Sequence, residues 1–253
     1  MINIEKTQRA IYIKCFIRTR NENDLCMKYY PVYLDIAGKS CLVVGGGRVG
    51  TRKALGLARA NARVTVVSPE FSRRLETDCP ENIRLERRGF DPVDLDGVSL
   101  VFAATDSMAL NARIRDAARQ AGILCNAADG ADKGDFILPS VVNQGDLTLA
   151  ISTGGASPAL AKRLRRELES RFGPEYGTML TLMANLRQKM LDAGHDPDGH
   201  KRIFSALIDH DLPALISAGR TRDIDALLAR YLGTEFTYDG LTVQAPDPGA
   251  ERS

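Results

Sequence analysis

The chain has 253 residues, 44% of them hydrophobic, with 34 Lys plus Arg set against 32 Asp plus Glu. That length can bury a sizeable core in one or two domains, and a net charge of +2 is too small for general attraction to nucleic acid or to an anionic membrane. No apolar run reaches membrane-spanning length, and the five cysteines, at 15, 26, 41, 79 and 125, are odd in number and lack C-x-x-C spacing, which fits reduced thiols in a cytoplasmic setting.

In the first 26 residues Ile11, Ile13, Phe16 and Ile17 are interleaved with Lys14, Arg18 and Arg20. A secretory signal needs a continuous apolar core, so none is expected here. Residues 1–27 read as a loose extension, or residues 1–26 as sequence upstream of a true start at Met27. Tyr30-Pro31-Val32-Tyr33-Leu34 reads as a lead-in strand or extended segment.

The run Cys41-Leu42-Val43-Val44 then meets Gly45, Gly47 and Gly50 in G-x-G-x-x-G spacing, and residues 51–58 have helical composition. Strand, glycine turn and helix are the three parts of a dinucleotide site. The glycines permit the turn, the approach of a pyrophosphate and the packing of helix on strand, and the helix N-terminus receives the phosphates. Arg48 and Val49 lie inside this turn, and Arg48 is placed to reach a cofactor phosphate. Residues 63–67, RVTVV, form the second strand. Its end reads the ribose, an acid there binding a 2′-hydroxyl and a base favouring a 2′-phosphate. Ser68, Pro69 and Glu70 are the candidates. Glu70 favours NAD, while Arg73 and Arg74 keep NADP open.

Residues 83–87 are a weaker third strand, 99–105 a fourth ending at Ala104 and Thr105, and 123–126 a fifth, with Ser107 capping the helix between the last two. Strands alternating with helices give an α/β, doubly wound parallel sheet whose ligands bind beyond the strand carboxyl ends. Asn126 and Asp129 fall in that crevice. A carboxylate at 129 could accept a proton while a hydride leaves, or help hold a metal, but Asp129-Gly130 is also an ordinary turn, and on the residues alone the turn reading is slightly ahead.

Residues 136–142 and 147–151 are expected to form a hairpin, with Pro139 suited to an edge or bulge. The turn Ser152-Thr153-Gly154-Gly155 leads to Ser157 as N-cap and Pro158 at the first helical position. The helix that follows carries Lys162, Arg163, Arg165, Arg166 and Arg171 against Glu167 and Glu169. With Thr153, Gly154 and Ser157 it could receive a polycarboxylate, although on the charges alone a solvated helix face is the favoured reading. Helices are expected over 178–191, 201–208 and 222–232, with a polar tail at the end. His195 and His200 match no standard metal spacing and read as part of a surface turn.

Taken in order, Tyr30-Pro31-Val32, Val43-Val44-Gly45-Gly46-Gly47-Arg48-Val49-Gly50 with Arg52-Lys53, Ala103-Ala104-Thr105-Asp106, Cys125-Asn126-x-x-Asp129, Phe136-Ile137-x-Pro139-Ser140 and Ser152-Thr153-Gly154-Gly155-x-Ser157-Pro158 resemble the precorrin-2 dehydrogenase/sirohydrochlorin ferrochelatase family, the amino-terminal module of siroheme synthase. The likeness spans residues 29–172. It implies a Rossmann-type domain over 28–135, a small hairpin-and-helix dimerisation segment over 136–175, a helical domain over 176–243 and a tail over 244–253. It also implies a homodimer, NAD as cofactor, and a tetrapyrrole substrate, precorrin-2, oxidised to sirohydrochlorin, with Fe²⁺ as the substrate of a following chelation. The family's key aspartate falls on Asp129, for catalysis and for transient contact with the metal. Asn126, Thr153, Gly154, Ser157, Arg163 and Arg166 are expected on the substrate. Thr153 stands where the family has serine, and Ala127-Ala128 where it has Val-Val. Two other readings stay open on the residues: a dehydrogenase whose iron step belongs to a separate enzyme, and a non-catalytic NAD- or tetrapyrrole-binding protein.

Overall fold

The structure is a computed structural model that describes residues 28–127, 134–193 and 197–243, with backbone alone at 197–200. The candidate Asp129, the histidine at 195, the extension over 1–27 and the tail over 244–253 lie outside the described residues. The chain divides into two compact units, Met1–Ile137 and Leu138–Ser253.

The first unit is a parallel sheet of β1 (Ser40–Gly46), β2 (Arg63–Phe71), β3 (Ile83–Glu86), β4 (Leu100–Ala103) and β5 (Leu124–Ala127), in the order β3-β2-β1-β4-β5. Alternate side chains supply two cores. Cys41, Val43, Val64, Val66 and Phe102 pack against Ala54, Leu57 and Ala58 of helix α1 (Arg48–Arg59). On the other face Leu42, Val44, Val67, Val101, Ala103 and Cys125 pack with Ile114 and Ala118 of helix α3 (Met108–Gln120). Burial on both faces explains why the strands read as unbroken apolar runs. The order reverses across β1, so the switch point of the sheet falls between the carboxyl ends of β1 and β4, beside the glycine turn.

Of the two readings of 30–34 the strand is not formed: the segment pairs with no strand, and Tyr30, Val32, Tyr33 and Leu34 are exposed. Other details differ from the sequence reading. β2 runs four residues further than its β-branched core, because a register break after Val44 lets Gly46 pair with Phe71. The short helix α2 (Arg73–Thr77) and a 3-10 turn at Pro92–Leu95, closed by a capping box between Asp91 and Asp94, lacked the length for a periodic signal.

In the second unit β6 (Ser140–Gln144) and β7 (Leu147–Ile151) form an antiparallel hairpin around Gly145-Asp146. The strand starts after Pro139, which has no amide hydrogen to give a ladder. Helix α4 (Pro158–Arg171) has the expected Ser157 cap, whose Oγ accepts from the Leu160 amide at 3.2 Å. Helix α5 (Pro174–Asp192) starts earlier than expected, on Pro174 at its first turn. It lays Met179, Leu182, Leu186 and Met190 against Phe204 and Leu207 of α6 (Pro197–Asp209), Leu212 of α7 (Leu212–Ser217), Ile224 and Leu228 of α8 (Thr221–Leu232) and Leu241 of α9 (Tyr238–Thr242). Asn185 Nδ2 donates to the carbonyls of Leu241 and Val243, both at 2.9 Å, tying α9 and the residue after it to α5. Residues 197–200 belong to the first turn of α6 and not to the expected surface turn.

The hairpin turn meets α5 backbone to backbone. A Cβ added at Gly177 would lie 2.8 Å from the Gln144 carbonyl oxygen. Gly177→Ala should therefore destabilise the protein by about 1–3 kcal/mol, the usual cost of overpacking, read as a lower midpoint of denaturant unfolding.

Candidate functional site

The glycine turn is built by close backbone contact. Gly45 has φ +118°, and a Cβ there would lie 2.3 Å from the Ala104 carbonyl oxygen; one at Gly50 would lie 1.8 Å from the Gly45 oxygen. Gly47 differs, since nothing stands within 4 Å of its would-be Cβ. That open side is where a ligand's phosphates can approach the main chain. Gly47 is also the N-cap of α1, with no side-chain cap and no acidic residue in the first turn. The first amides of the helix are thus left to an anion, and Arg48 at the first helical position adds positive charge. Val49 is half-buried behind it.

Thr51 braces the turn from inside the helix. Its Oγ1 lies 2.9 Å from the Gly47 carbonyl and 2.7 Å from Ser72 Oγ, and the Ser72 amide donates to the Gly46 carbonyl at 2.8 Å. These bonds hold the end of β2 beside the turn. There Ser68 is buried, while Pro69 and Glu70 are exposed, so the Glu70 carboxylate is free to meet a ribose hydroxyl. Arg73 and Arg74 stand on α2. Arg87, which the sequence reading did not single out, also reaches this end: it bridges to Glu76 at 2.5 Å and stacks over the Phe71 ring at 5.1 Å.

Across the switch point, Thr105 is fixed by Asn111, which is buried in α3. Asn111 Oδ1 accepts from the Thr105 amide at 3.1 Å and hydroxyl at 2.7 Å, and its Nδ2 donates to the Thr105 carbonyl at 3.0 Å. The sequence carried a signal for this residue: Asn111 is a polar member of the apolar stripe it shares with Ile114 and Ala118.

At the carboxyl end of β5, Asn126 is nearly buried. Its Oδ1 accepts from Lys53 Nζ at 2.5 Å and its Nδ2 donates to the Phe136 carbonyl at 2.8 Å. Lys53 comes from α1 and lies over the Phe102 ring, 5.0 Å from its centroid. Burial, aided by Arg52, lowers its pKa to about 8. The unfolded chain holds that proton up to about 10.4, so between about 8 and about 10 the unfolded state binds more protons and stability rises with pH. Unfolding titrations across that window should show the rise, and Lys53→Met should remove Lys53's share of it.

The second group of candidates belongs to the second unit. Thr153 Oγ1 accepts from the Ser157 amide at 3.1 Å, and Gly154, with φ +62°, donates its amide to Ser152 Oγ at 3.1 Å. Both hydroxyls thus shape the turn. Arg163 pairs with Glu167 at 2.8 Å and Arg165 with Glu169 at 2.6 Å along α4, whereas Arg166 is exposed on the same helix. Among the described residues no group of three or more His, Cys, Asp or Glu could hold a metal, and no helix is long and apolar enough to cross a membrane.

Comparison with known proteins matches this layout. Residues 32–140 match the family described as putative NAD(P)-binding, and residues 144–171 the family described as sirohaem biosynthesis protein central. The siroheme synthase of Methylococcus capsulatus is 35% identical over 203 residues, covering 80% of this chain and 43% of that protein. Siroheme synthase 1 of Pectobacterium atrosepticum is 36% identical over 207 residues, covering 81% and 43%. The chain thus spans less than half the length of these curated relatives. The solved structure of SirC, a precorrin-2 dehydrogenase, superposes with a TM-score of 0.65 at 28% identity, covering 80% of this chain and 98% of that one.

Proposed function

The chain belongs to the siroheme synthase family, and on that premise we propose that it is an NAD-dependent precorrin-2 dehydrogenase, oxidising precorrin-2 to sirohydrochlorin on the way to siroheme. The observation that carries this reading is the pairing, in one chain and in order, of a dinucleotide turn at a sheet switch point with the segment that matches the sirohaem central family.

NAD⁺ supplies the hydride acceptor. Gly45, Gly47, Val49, Gly50 and the α1 amides, with Arg48, hold its pyrophosphate; Ser68, Pro69 and Glu70 meet the ribose; Ala104 and Thr105 line the far side of the switch point. The open side of Gly47 and the uncapped helix end fit that role. The reaction removes two electrons and two hydrogens from a reduced macrocycle, one as hydride and one as proton. Asp129 takes the proton, and Asn126, Thr153, Gly154, Ser157, Arg163 and Arg166 contact the tetrapyrrole, the arginines meeting carboxylate arms. We assign Fe²⁺ as the substrate of a following chelation assisted by Asp129. The acting species is a homodimer joined through 136–175 and working in the cytoplasm.

The cofactor and chelation assignments are tested together. Purified protein should oxidise precorrin-2 faster with NAD⁺ than with NADP⁺, and should insert Fe²⁺ into sirohydrochlorin above the spontaneous rate. Preference for NADP⁺ would move the ribose assignment from Glu70 to Arg73, Arg74 and Arg87, and an iron rate equal to the blank would leave dehydrogenation alone.

A further inference from the structure

We propose that Lys53 is a positioning residue for the dehydrogenation: reaching across the sheet face from α1, it orients the Asn126 carboxamide, so that the end of β5 and the returning segment 134–136 are held as one unit. The inference rests on the dehydrogenase reading for its activity readout and on hydrogen bonds for its geometry.

An ammonium group can only donate, so the side facing Lys53 must be the Asn126 oxygen. The Asn126 amide nitrogen is then committed to the Phe136 carbonyl at 2.8 Å. The neighbouring residues repeat the tie: the Cys125 amide donates to Asp135 Oδ2 and the Asp135 amide to the Cys125 carbonyl, each at 2.8 Å. Phe136 adds an edge-to-face contact with Phe102, 5.5 Å between centroids. The chain therefore leaves the sheet after β5 and is fastened back to the same two residues. The stretch between the fastened ends includes position 129 in sequence.

Lys53 is an expensive way to make this tie. Lys53 is half-buried, and a desolvated charge is normally paired with an opposite one, yet the charged or ionisable groups bearing on it are Arg52 on its own helix, which opposes its charge, and Cys125 on β5. Asp135 on the returning segment is engaged with the Cys125 amide. No ion pair of Lys53 occurs among the described residues. A methionine in the same place would fill the space over Phe102 without desolvating a charge. Groups held at a stability cost beside a ligand-binding edge are the ones function retains.

The test compares Lys53→Met, Lys53→Arg, Asn126→Leu and the Lys53→Met/Asn126→Leu double variant, measuring kcat and KM with precorrin-2 and NAD⁺, the thermal midpoint, and the ¹⁵N resonances of the Asn126 carboxamide. Lys53→Met should keep or raise the midpoint while kcat falls ~10- to 100-fold, the scale of a misplaced reacting group. KM for NAD⁺ should stay within about twofold, Lys53→Arg should recover part of the loss, and the double variant should be no worse than the worse single one, as expected for residues acting as one unit. Unchanged kcat in Lys53→Met, multiplying losses, or a kcat loss that tracks the midpoint would each overturn the proposal. If Lys53→Met does not fold, the wild-type carboxamide resonances decide: they should shift as the pH is raised through about 8, and no shift rules out the tie. If the wild type fails to oxidise precorrin-2, the dehydrogenase reading fails and with it the catalytic part of the proposal, while the resonances still judge whether Lys53 orients Asn126.

Discussion

Asp129→Ala should leave NAD⁺ binding within about twofold and lower precorrin-2 oxidation by ~10²- to 10⁴-fold, the range associated with a lost general base. The expectation combines two sources. By resemblance the family's key aspartate falls at 129, and by topology β5 ends at Ala127, so the chain emerges at the carboxyl edge of the sheet where ligands of such folds bind. Asp129→Asn separates charge from shape, because it keeps the size and polarity of the side chain and loses the proton acceptor. It should be nearly as slow as the alanine variant. If Asp129→Asn retained full activity, proton removal would belong to another group.

Gly50→Ala should nearly abolish NAD⁺ binding and lower stability by about 3 kcal/mol, the upper end of what overpacking costs. The added methyl would sit 1.8 Å from the Gly45 carbonyl oxygen. Both sides of that contact are backbone, so neither yields without parting α1 from β1. Gly45→Ala should fail for two reasons, its φ of +118° and the 2.3 Å approach to the Ala104 oxygen. Gly47→Ala is the informative contrast. Its φ of −73° suits any residue and its Cβ meets nothing within 4 Å, so the protein should fold with an unchanged midpoint. The methyl would nevertheless occupy the side on which a pyrophosphate approaches, and NAD⁺ affinity should fall. Calorimetric titration with NAD⁺ beside thermal melts distinguishes the three. Full NAD⁺ affinity in Gly47→Ala would place the cofactor elsewhere.

How far the sequence disclosed these features follows the range of the interactions. Val43, Val66 and Phe102 announce buried strands because each lies in an apolar run bounded by turn residues, and Ser157-Pro158 announces a helix start because cap and proline are adjacent. β2 overran its expected end because Gly46 and Phe71 pair across a register break, which no local pattern encodes. The helices α7 and α9, six and five residues long, are too short to display a stripe. At the site the glycine spacing was legible, and the close backbone contacts at Gly45 and Gly50 accompany it. The Lys53–Asn126 bond joins positions 73 apart, and in sequence Lys53 looks like an ordinary surface lysine of a helix. Thr153 shows another limit: no local pattern reveals that its oxygen accepts from the Ser157 amide, a bond that leaves the hydroxyl hydrogen for a ligand.

On the proposed reading, this chain passes a hydride from a reduced tetrapyrrole to NAD⁺. The most direct measurement follows NADH and sirohydrochlorin together during anaerobic incubation of the purified protein with precorrin-2 and NAD⁺. NADH and sirohydrochlorin should form in equal amounts, with neither produced when NAD⁺ is withheld. Sirohydrochlorin appearing at the same rate without NAD⁺, or no NADH at all, would contradict the account.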